Sequence, residues 1–442
     1  MIIKEYINKV ITMFNKEGIT NVEVYYNNTI TKLVNIENND IESFKTANDS
    51  GINISGNYDG YNSSTYIEKY DDKSIYDAIK NIKDTAKINN KPLKLQMFSD
   101  IAKCNKNNNI VNTDLDNVKK VLINIEKSAK RIDNRVISVT DCSYYEVLNN
   151  ILLINNEGIE LEDTYSYCIG TVSVVVGENE IKNNATSSVI KNRFDDIDYD
   201  KLMHNAIGDA INMLSASPIK SGKYKVVLRN NAAADILTCF MPIFNIENIN
   251  KGISKFKDKL NTNVASKCFS LIDDPLYENG KLKRNFDDEG TKTCKKYLIK
   301  EGVLNSYLSK NAIDNISTGN AFRYSYRENI EISQTNCFVE KGSQTTKEII
   351  ENINDGIIIT SFDGLNAGIN TVTGDFSLIS NGFYIKNGRI EKSINQITVG
   401  GNIYEVINDI ECVSSDVECA YSYGDYFESP SILINNLMIG GL

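Results

Sequence analysis

Apolar residues at the start of the chain recur with helical spacing. Ile3, Ile7, Val10 and Phe14 form one stripe, with Lys4, Glu5 and Lys9 off it, so a helix is predicted over about 2–17. The period then shortens to two. VEVYYN, KLVNIE, DIESFK and GINISGN read as strands, divided by the turn signals Asn38-Asn39-Asp40, Asn48-Asp49-Ser50-Gly51 and Asp59-Gly60. A second helix is predicted from about Ser74 to Ala86. The same order recurs with a helix from about Asp114 to Lys130, strands in RVISVTDCSYYEV, NILLINN, GIELEDTY and GTVSVVVG, and a helix from Tyr199 to Leu214. Together with the likeness of NNDIES to NNEGIELED, this points to a duplicated α-β-α unit.

SASPIKSG, from Ser215 to Gly222, gathers Pro, Gly and Ser just past an amphipathic helix, as a domain junction does. Beyond it the pattern predicts helices only near Asn231 to Phe240 and Thr345 to Ile353. The remainder is strand-like, and FYIKNGRI and YLIKEGVL carry tight-hairpin signatures, with Asn-Gly or Glu-Gly between short apolar stretches. The expected architecture is α+β, with an N-terminal α/β domain over 1–100, a central α/β domain over 101–220 and a large β-rich C-terminal domain, a barrel or sandwich, over 221–442.

A length of 442 residues allows two or three domains, each with its own core. The composition, 41% hydrophobic and 24% charged, is that of a globular chain. Against 58 Asp+Glu stand 48 Lys+Arg, a formal net charge of −10, with no basic tract dense enough to follow a phosphate backbone. Nucleic acid is therefore not expected as a partner, and a neutral or cationic peptide or a protein surface suits the field better. Nine scattered cysteines without a CxxC pair read as buried thiols of a reducing compartment. Charges interrupt the amino-terminal stripe, and no uncharged apolar run approaches the roughly 20 residues that span a bilayer. A soluble, cytoplasmic protein is the expectation, with no membrane contact.

Chemistry is limited most by imidazole. The chain has one histidine, His204, on the polar side or edge of the helix whose stripe is Met203, Ile207, Ala210 and Leu214. A helix-borne zinc site with two histidines cannot be assembled, and any Ser/His or Cys/His nucleophile would have to recruit this one residue. There is no GxSxG elbow, P-loop or GxGxxG turn after a strand. Asp195, Asp196, Asp198 and Asp200 read as a solvated helix start, favoured by the macrodipole. In FDDEG, Asp287, Asp288 and Glu289 read as a turn between strands, with a hard cation or a cationic peptide group as the alternative. Around DGLNAGINTVTGDFS, glycines and Asp375 mark either barrel bends or a place where a ligand backbone comes close.

FDDEGTKTCKKYLIKEGVLNSYL, STGNAFR, the run from TNCFVEKGSQTTKEII through GDFSLISNGFYIKNGRI to VSSDVE, and SPSILINNLMIGG resemble, in that order, the TldD/PmbA family and its PmbA (TldE) branch in particular. The likeness is strongest from about 220 to 442, and the N-terminal VEVYYNNTITKLVNIENNDIESFKTANDSGINISGNYDGYNSSTY is similar to that family's opening domain. The resemblance implies cytoplasmic peptidases built from paired TldD-like and TldE-like chains that mature or degrade small unfolded peptides. The zinc is held by the TldD-like chain, through an HExxxH helix and a cysteine. Here that helix should follow KYKVVLRNNAAADIL, where Thr238 and Ile243 stand at the two histidine positions and Cys239 at the glutamate, and Ser380 stands for the cysteine. Pro242 implies that the helix is short or broken. Older family names refer to modulation of DNA gyrase, which the acidic charge makes a poor description of direct DNA contact.

The expected function is thus a metal-free, TldE-like pseudoenzyme subunit, with no cofactor of its own, that pairs with a zinc-bearing TldD-like partner and a peptide substrate. The alternative is a stand-alone homodimeric scaffold of the same fold. An enzyme using FDDEG or the GDFS region with a cation ranks third.

Overall fold

The computed structural model describes residues 3–89, 113–310, 317–422 and 425–442. The expected boundary at 100/101 and Cys104 lie outside the described residues, as does the side chain of Cys419.

In the first half, α1 (Ile3–Lys16) leads into β1 (Thr20–Glu37), β2 (Asp40–Tyr58) and β3 (Tyr61–Ile67), and α2 (Asp72–Asn89) follows. The order repeats in α3 (Leu115–Ile132), β4 (Val136–Asn155), β5 (Glu160–Glu178), β6 (Ile181–Lys191) and α4 (Tyr199–Asn212). Both sets share one antiparallel sheet, β3-β2-β1-β4-β5-β6, in which the first strand of each set pairs with the other at the centre. Each helix pair buries its stripe on its own half of the sheet. Ile7, Val10 and Phe14 pack with Ile75 and Ile82 over Val24, Ile52 and Ile54. Leu122, Leu202 and Met203 pack over Tyr144, Val172 and Val174.

The strands are longer than their patterns suggest. Asn48 to Gly51, expected as a turn, runs straight through β2, opposite Ile30 to Asn27. The physical reason lies in the ladder: β1 is paired on both sides, so its polar middle is held extended, with Thr29 opposite Asp49 on one side and Asn149 on the other. Two pairs of polar side chains there bond to one another, the Thr29 hydroxyl donating to Asn149 Oδ1 at 2.6 Å and Thr164 to Asn150 Oδ1 at 3.0 Å.

The second half begins with β7 (Gly222–Leu228), α5 (Asn230–Phe240) and α6 (Ile246–Asn250). A long stretch follows with only short strands: β8 (Leu271–Asp273), β9 (Lys296–Lys300), β10 (Val303–Leu304), β11 (Ala321–Phe322), β12 (Glu331–Ile332) and β13 (Asn336–Val339). Then come α7 (Thr346–Glu351), β14 (Asp355–Asp363), β15 (Asp375–Lys386), β16 (Arg389–Asn402), α8 (Ile403–Val406), β17 (Ile410–Ser422) and β18 (Asp425–Gly440).

Of the two β-rich architectures expected, the chain forms a barrel. Near its end β18 pairs on one side with β16, Ile439 opposite Val399, and on the other with β7, Ile439 opposite Gly222. With β16-β15-β14-β7 completing the circuit, five strands close into a ring. The β13-β8-β9-β10 strands extend the sheet from β18, and β17 pairs with another stretch of it. The α+β class holds. Hairpins form at the Asn-Gly and Glu-Gly signals, where Asn387 and Gly388 (φ 50° and 72°) and Glu301 and Gly302 (47° and 82°) take the left-handed conformations of a type I′ turn. Among the described residues no helix is long and apolar enough to cross a membrane.

Candidate functional site

The helix α5 occupies the place where the resemblance puts a metal helix. It is apolar nearly all round, with Ala232, Ala233, Ala234, Ile236, Leu237 and Phe240 buried, as befits a helix inside a core. Its start is fixed by Arg229, which donates to both oxygens of Asp209 at 2.9 and 2.8 Å, and by Asn231, whose amide donates to the Thr360 carbonyl. Thr238 is buried, and its hydroxyl donates to the Ala234 carbonyl at 2.8 Å. The helix stops at Phe240, and residues Met241–Phe244 form a tighter 3₁₀ turn with Pro242 at its beginning. Proline lacks the N–H that another α-turn would need. Ile243 packs in the surrounding apolar core.

Ser380 lies on β15, fully buried, its hydroxyl donating to the Leu378 carbonyl at 3.1 Å. The Phe240 and Phe376 rings, 6.2 Å apart, bring the end of α5 against the same strand. Asp375, at the exposed start of β15, accepts from the Asn402 amide at 2.8 Å, which holds its carboxyl below the usual range. Zinc requires three or four nitrogen, sulfur or oxygen donors converging at about 2.0–2.3 Å. The carried-over ligand positions offer two neutral hydroxyls and a hydrocarbon, with no imidazole, thiolate or carboxylate among them, so they do not fit the ion. Cys239 does not supply a reactive thiolate: burial, with Asp235 one turn earlier, pushes its thiol up to about 12. Burial likewise pushes Asp235 up to about 7. His204 stands on the exposed side of α4, its Nδ1 2.8 Å from the Asp200 carbonyl.

FDDEG forms a turn, with the Gly290 N–H donating to the Asp287 carbonyl, yet all three of its acids are buried. They lie in the seam between the six-stranded sheet and the second half, where Tyr25, Tyr165, Phe286, Tyr326 and Tyr426 share one apolar cluster. Asp288 accepts from the Arg284 guanidinium and from the Arg323 N–H, both at 2.6 Å. Asp287 accepts the N–H groups of Glu289, Thr291 and Ala321. Asp163 reaches over from β5 to the Asn285 N–H, and Arg323 lies 5.4 Å over the Tyr25 ring. Glu23, on β1, joins this group with its Oε2 lacking a partner. Asp163, Asp287 and Asp288 are engaged with guanidinium and backbone N–H groups, and among the described residues no three His, Cys, Asp or Glu side chains are grouped to hold a metal.

Five buried carboxyls (Glu23, Asp163, Asp287, Asp288, Glu289) meet two guanidiniums (Arg284, Arg323). Full ionisation would leave excess negative charge in an apolar seam, so protons make up part of the balance. Burial pushes Glu23 up to about 7 against the pull of Arg323, and burial with the Glu289 charge pushes Asp287 up to about 7. The sequence carried a signal for Glu23: in VEVYY, an acid shares a face with Tyr25 in a run whose other residues are apolar on both faces.

Both carboxyls titrate higher in the folded chain than in the unfolded one. Their stabilising contribution is therefore complete below about pH 4 and is lost as the pH rises through 7. Glu23→Gln, which mimics the protonated acid, is expected to flatten that loss by on the order of 3 kcal/mol between pH 4 and 8. Urea midpoints of the two chains across that range check it, and equal slopes contradict it.

Residues 221–441 match the family model described as the PmbA/TldA metallopeptidase C-terminal domain, and residues 109–214 match that of the central domain. An uncharacterised protein of Methanocaldococcus jannaschii is 28% identical over 92% of this chain and 95% of its own length. A metalloprotease PmbA homologue of Buchnera aphidicola subsp. Acyrthosiphon pisum is 24% identical over 95% and 93%. In fold, the chain superposes on the crystal structure of TldE from Thermococcus kodakarensis with a TM-score of 0.90, at 19% identity, covering 99% of this chain and 100% of that one.

Proposed function

The chain belongs to the PmbA/TldD metallopeptidase family, and from that premise we propose that it is the metal-free, TldE-like subunit of a two-chain zinc peptidase acting on small unfolded peptides. The observation that carries the reading is the state of α5. Where the ligand helix would run on through Ile243 it ends at Phe240, and Thr238, Ile243 and Ser380 are buried and offer no imidazole, thiolate or carboxylate between them. Bound zinc supplies an activated water and polarises the scissile carbonyl. In this reading those tasks fall to a TldD-like partner in the cytoplasm, while this chain contributes the closed barrel that walls the peptide chamber and a surface on which the partner docks.

Co-expression with an HExxxH-bearing relative and assay of each chain alone and mixed, on an unfolded peptide, tests it. Cleavage is expected in the mixture and not from this chain alone. Cleavage by this chain alone overturns the proposal, and a stable homodimer that adds nothing in any mixture supports the scaffold instead.

A further inference from the structure

A lysine, an aspartate and an asparagine meet inside the second half of the chain. Strands β8 and β9 are antiparallel with Asp273 directly opposite Lys296, and Asn320 stands just before β11. Asp273 Oδ2 accepts from Lys296 Nζ and from Asn320 Nδ2, each at 2.9 Å, and Lys296 Nζ also donates to Asn320 Oδ1 at 3.1 Å. Each of the three side chains therefore touches the other two. Asp273 and Asn320 are buried and the Lys296 side chain nearly so, and Leu271 and Leu298, two residues along the same strands, belong to the apolar core. The remaining bonds fix the group in place. Asp273 Oδ1 accepts from the Thr335 N–H and hydroxyl, both at 2.7 Å, and from the Cys337 thiol at 3.6 Å. The Asn320 amide donates to the Ser333 carbonyl at 3.0 Å, and its Oδ1 accepts from the Thr318 hydroxyl at 2.8 Å.

The arrangement has the parts of an acyl transfer. Lysine is a nucleophile once it loses a proton, and the group placed to take that proton is the carboxylate it already touches. The same Asp273 oxygen touches Asn320 Nδ2, so one carboxyl can collect a proton at the attacking nitrogen and deliver it to the departing one. The Thr318 hydroxyl donates to Oδ1, the atom on which negative charge develops when an amine adds to the amide carbon. Burial works to raise the Asp273 carboxyl, but the Lys296 charge with the Asn320 and Thr335 donors outweighs it and holds the carboxyl below the usual range. The ion pair is thus the resting state, and the chemistry draws on its minor neutral form. That suits a single slow maturation, with permanent contact between the reactants in place of collision.

We propose that Lys296 and Asn320 join in an intramolecular isopeptide bond, with Asp273 carrying the protons. Lys296 Nζ bonds to Asn320 Cγ, the Cγ–Nδ2 bond breaks, and the two protons that the lysine ammonium gives up leave with Nδ2 as an ammonium ion. Charge and atoms balance without an oxidant or a second reactant. The bond ties β9 to the start of β11 and so staples the stretch of short strands between α6 and α7. It is independent of the function proposed above.

The full chain is purified, incubated folded at neutral pH for a prolonged period, then denatured and weighed by mass spectrometry. The expected mass is lower than that of the sequence by one ammonia, about 17 Da. A succinimide at an Asn-Gly pair loses the same mass without joining two peptides, so a tryptic digest decides. Trypsin does not cut after an acylated lysine, and the expected product is a branched peptide in which residues 296–300 are joined through Lys296 to residues 311–323 through Asn320. Lys296→Arg keeps the charge without a competent nucleophile and should show the full mass and no branched peptide. Asp273→Asn should form roughly tenfold less of it, or less still, in the same time. Should either variant not fold, the digest of the unaltered chain still decides. Recovery of Lys296 and Asn320 only in separate linear peptides overturns the proposal, and an undiminished cross-link in Asp273→Asn overturns the part given to the carboxylate.

Discussion

Gly382→Ala is expected to prevent the C-terminal barrel from folding. Gly382 lies on β15 beside the irregularity where β14 and β15 slip register between Ile359 and Ser361. A Cβ added there would stand 1.8 Å from the Ile358 carbonyl oxygen and 2.9 Å from its carbon. Both atoms are backbone in a strand paired on its other side with β7, so no side-chain rotation relieves the clash. Overpacking against movable side chains typically costs about 1–3 kcal/mol. Against a clamped ladder the cost should exceed 4 kcal/mol, enough to exhaust much of a domain's net stability. Gly208→Ala is the control: on α4 the new methyl meets nothing within 4 Å, and helix propensity favours alanine by about 1 kcal/mol. Thermal unfolding and soluble yield check the pair. A well-folded Gly382→Ala chain would mean that the register around the barrel differs from that described.

Arg284→Ala should destabilise by about 3–5 kcal/mol, because it strands a buried carboxylate. Arg284 is 3% exposed and Asp288 fully buried, with 2.6 Å between them. Removing the guanidinium leaves Asp288, beside Asp287 and Glu289, held by the backbone N–H of Arg323, whose charge acts on Glu23. The double variant Arg284→Ala, Asp288→Asn removes the stranded charge and should recover part of the loss. Urea unfolding of the single and double variants reads the coupling. A single variant within 1 kcal/mol of the parent chain would remove the seam from any account of how the two halves are held together.

Local signals account for most elements. The stripe of Ile3, Ile7, Val10 and Phe14 became α1, and the Asn387-Gly388 and Glu301-Gly302 pairs became hairpins, since helical periodicity and left-handed turns depend on neighbouring residues. The same local grammar failed at Asn48 to Gly51. Turn-prone residues are extended there because the ladder to β1 outweighs propensity, and because the Gly51 Cα lies against the Tyr326 ring, where a Cβ would come within 2.2 Å. At the candidate site, Pro242 and the missing imidazoles were legible in single letters. FDDEG was legible as a turn but not as a buried one, since Glu23, Asp163 and Arg323, which surround it, come from distant parts of the chain. Only the topology brings them together.

Zinc content is the most direct measure of the central claim. The chain is purified alone, equilibrated with excess zinc, desalted and analysed, with Thr238→Ala treated in parallel. The account predicts far less than one equivalent of zinc in both, and no peptide cleavage. Near-equimolar zinc in the unaltered chain, lost in Thr238→Ala together with cleavage by the chain on its own, would contradict it.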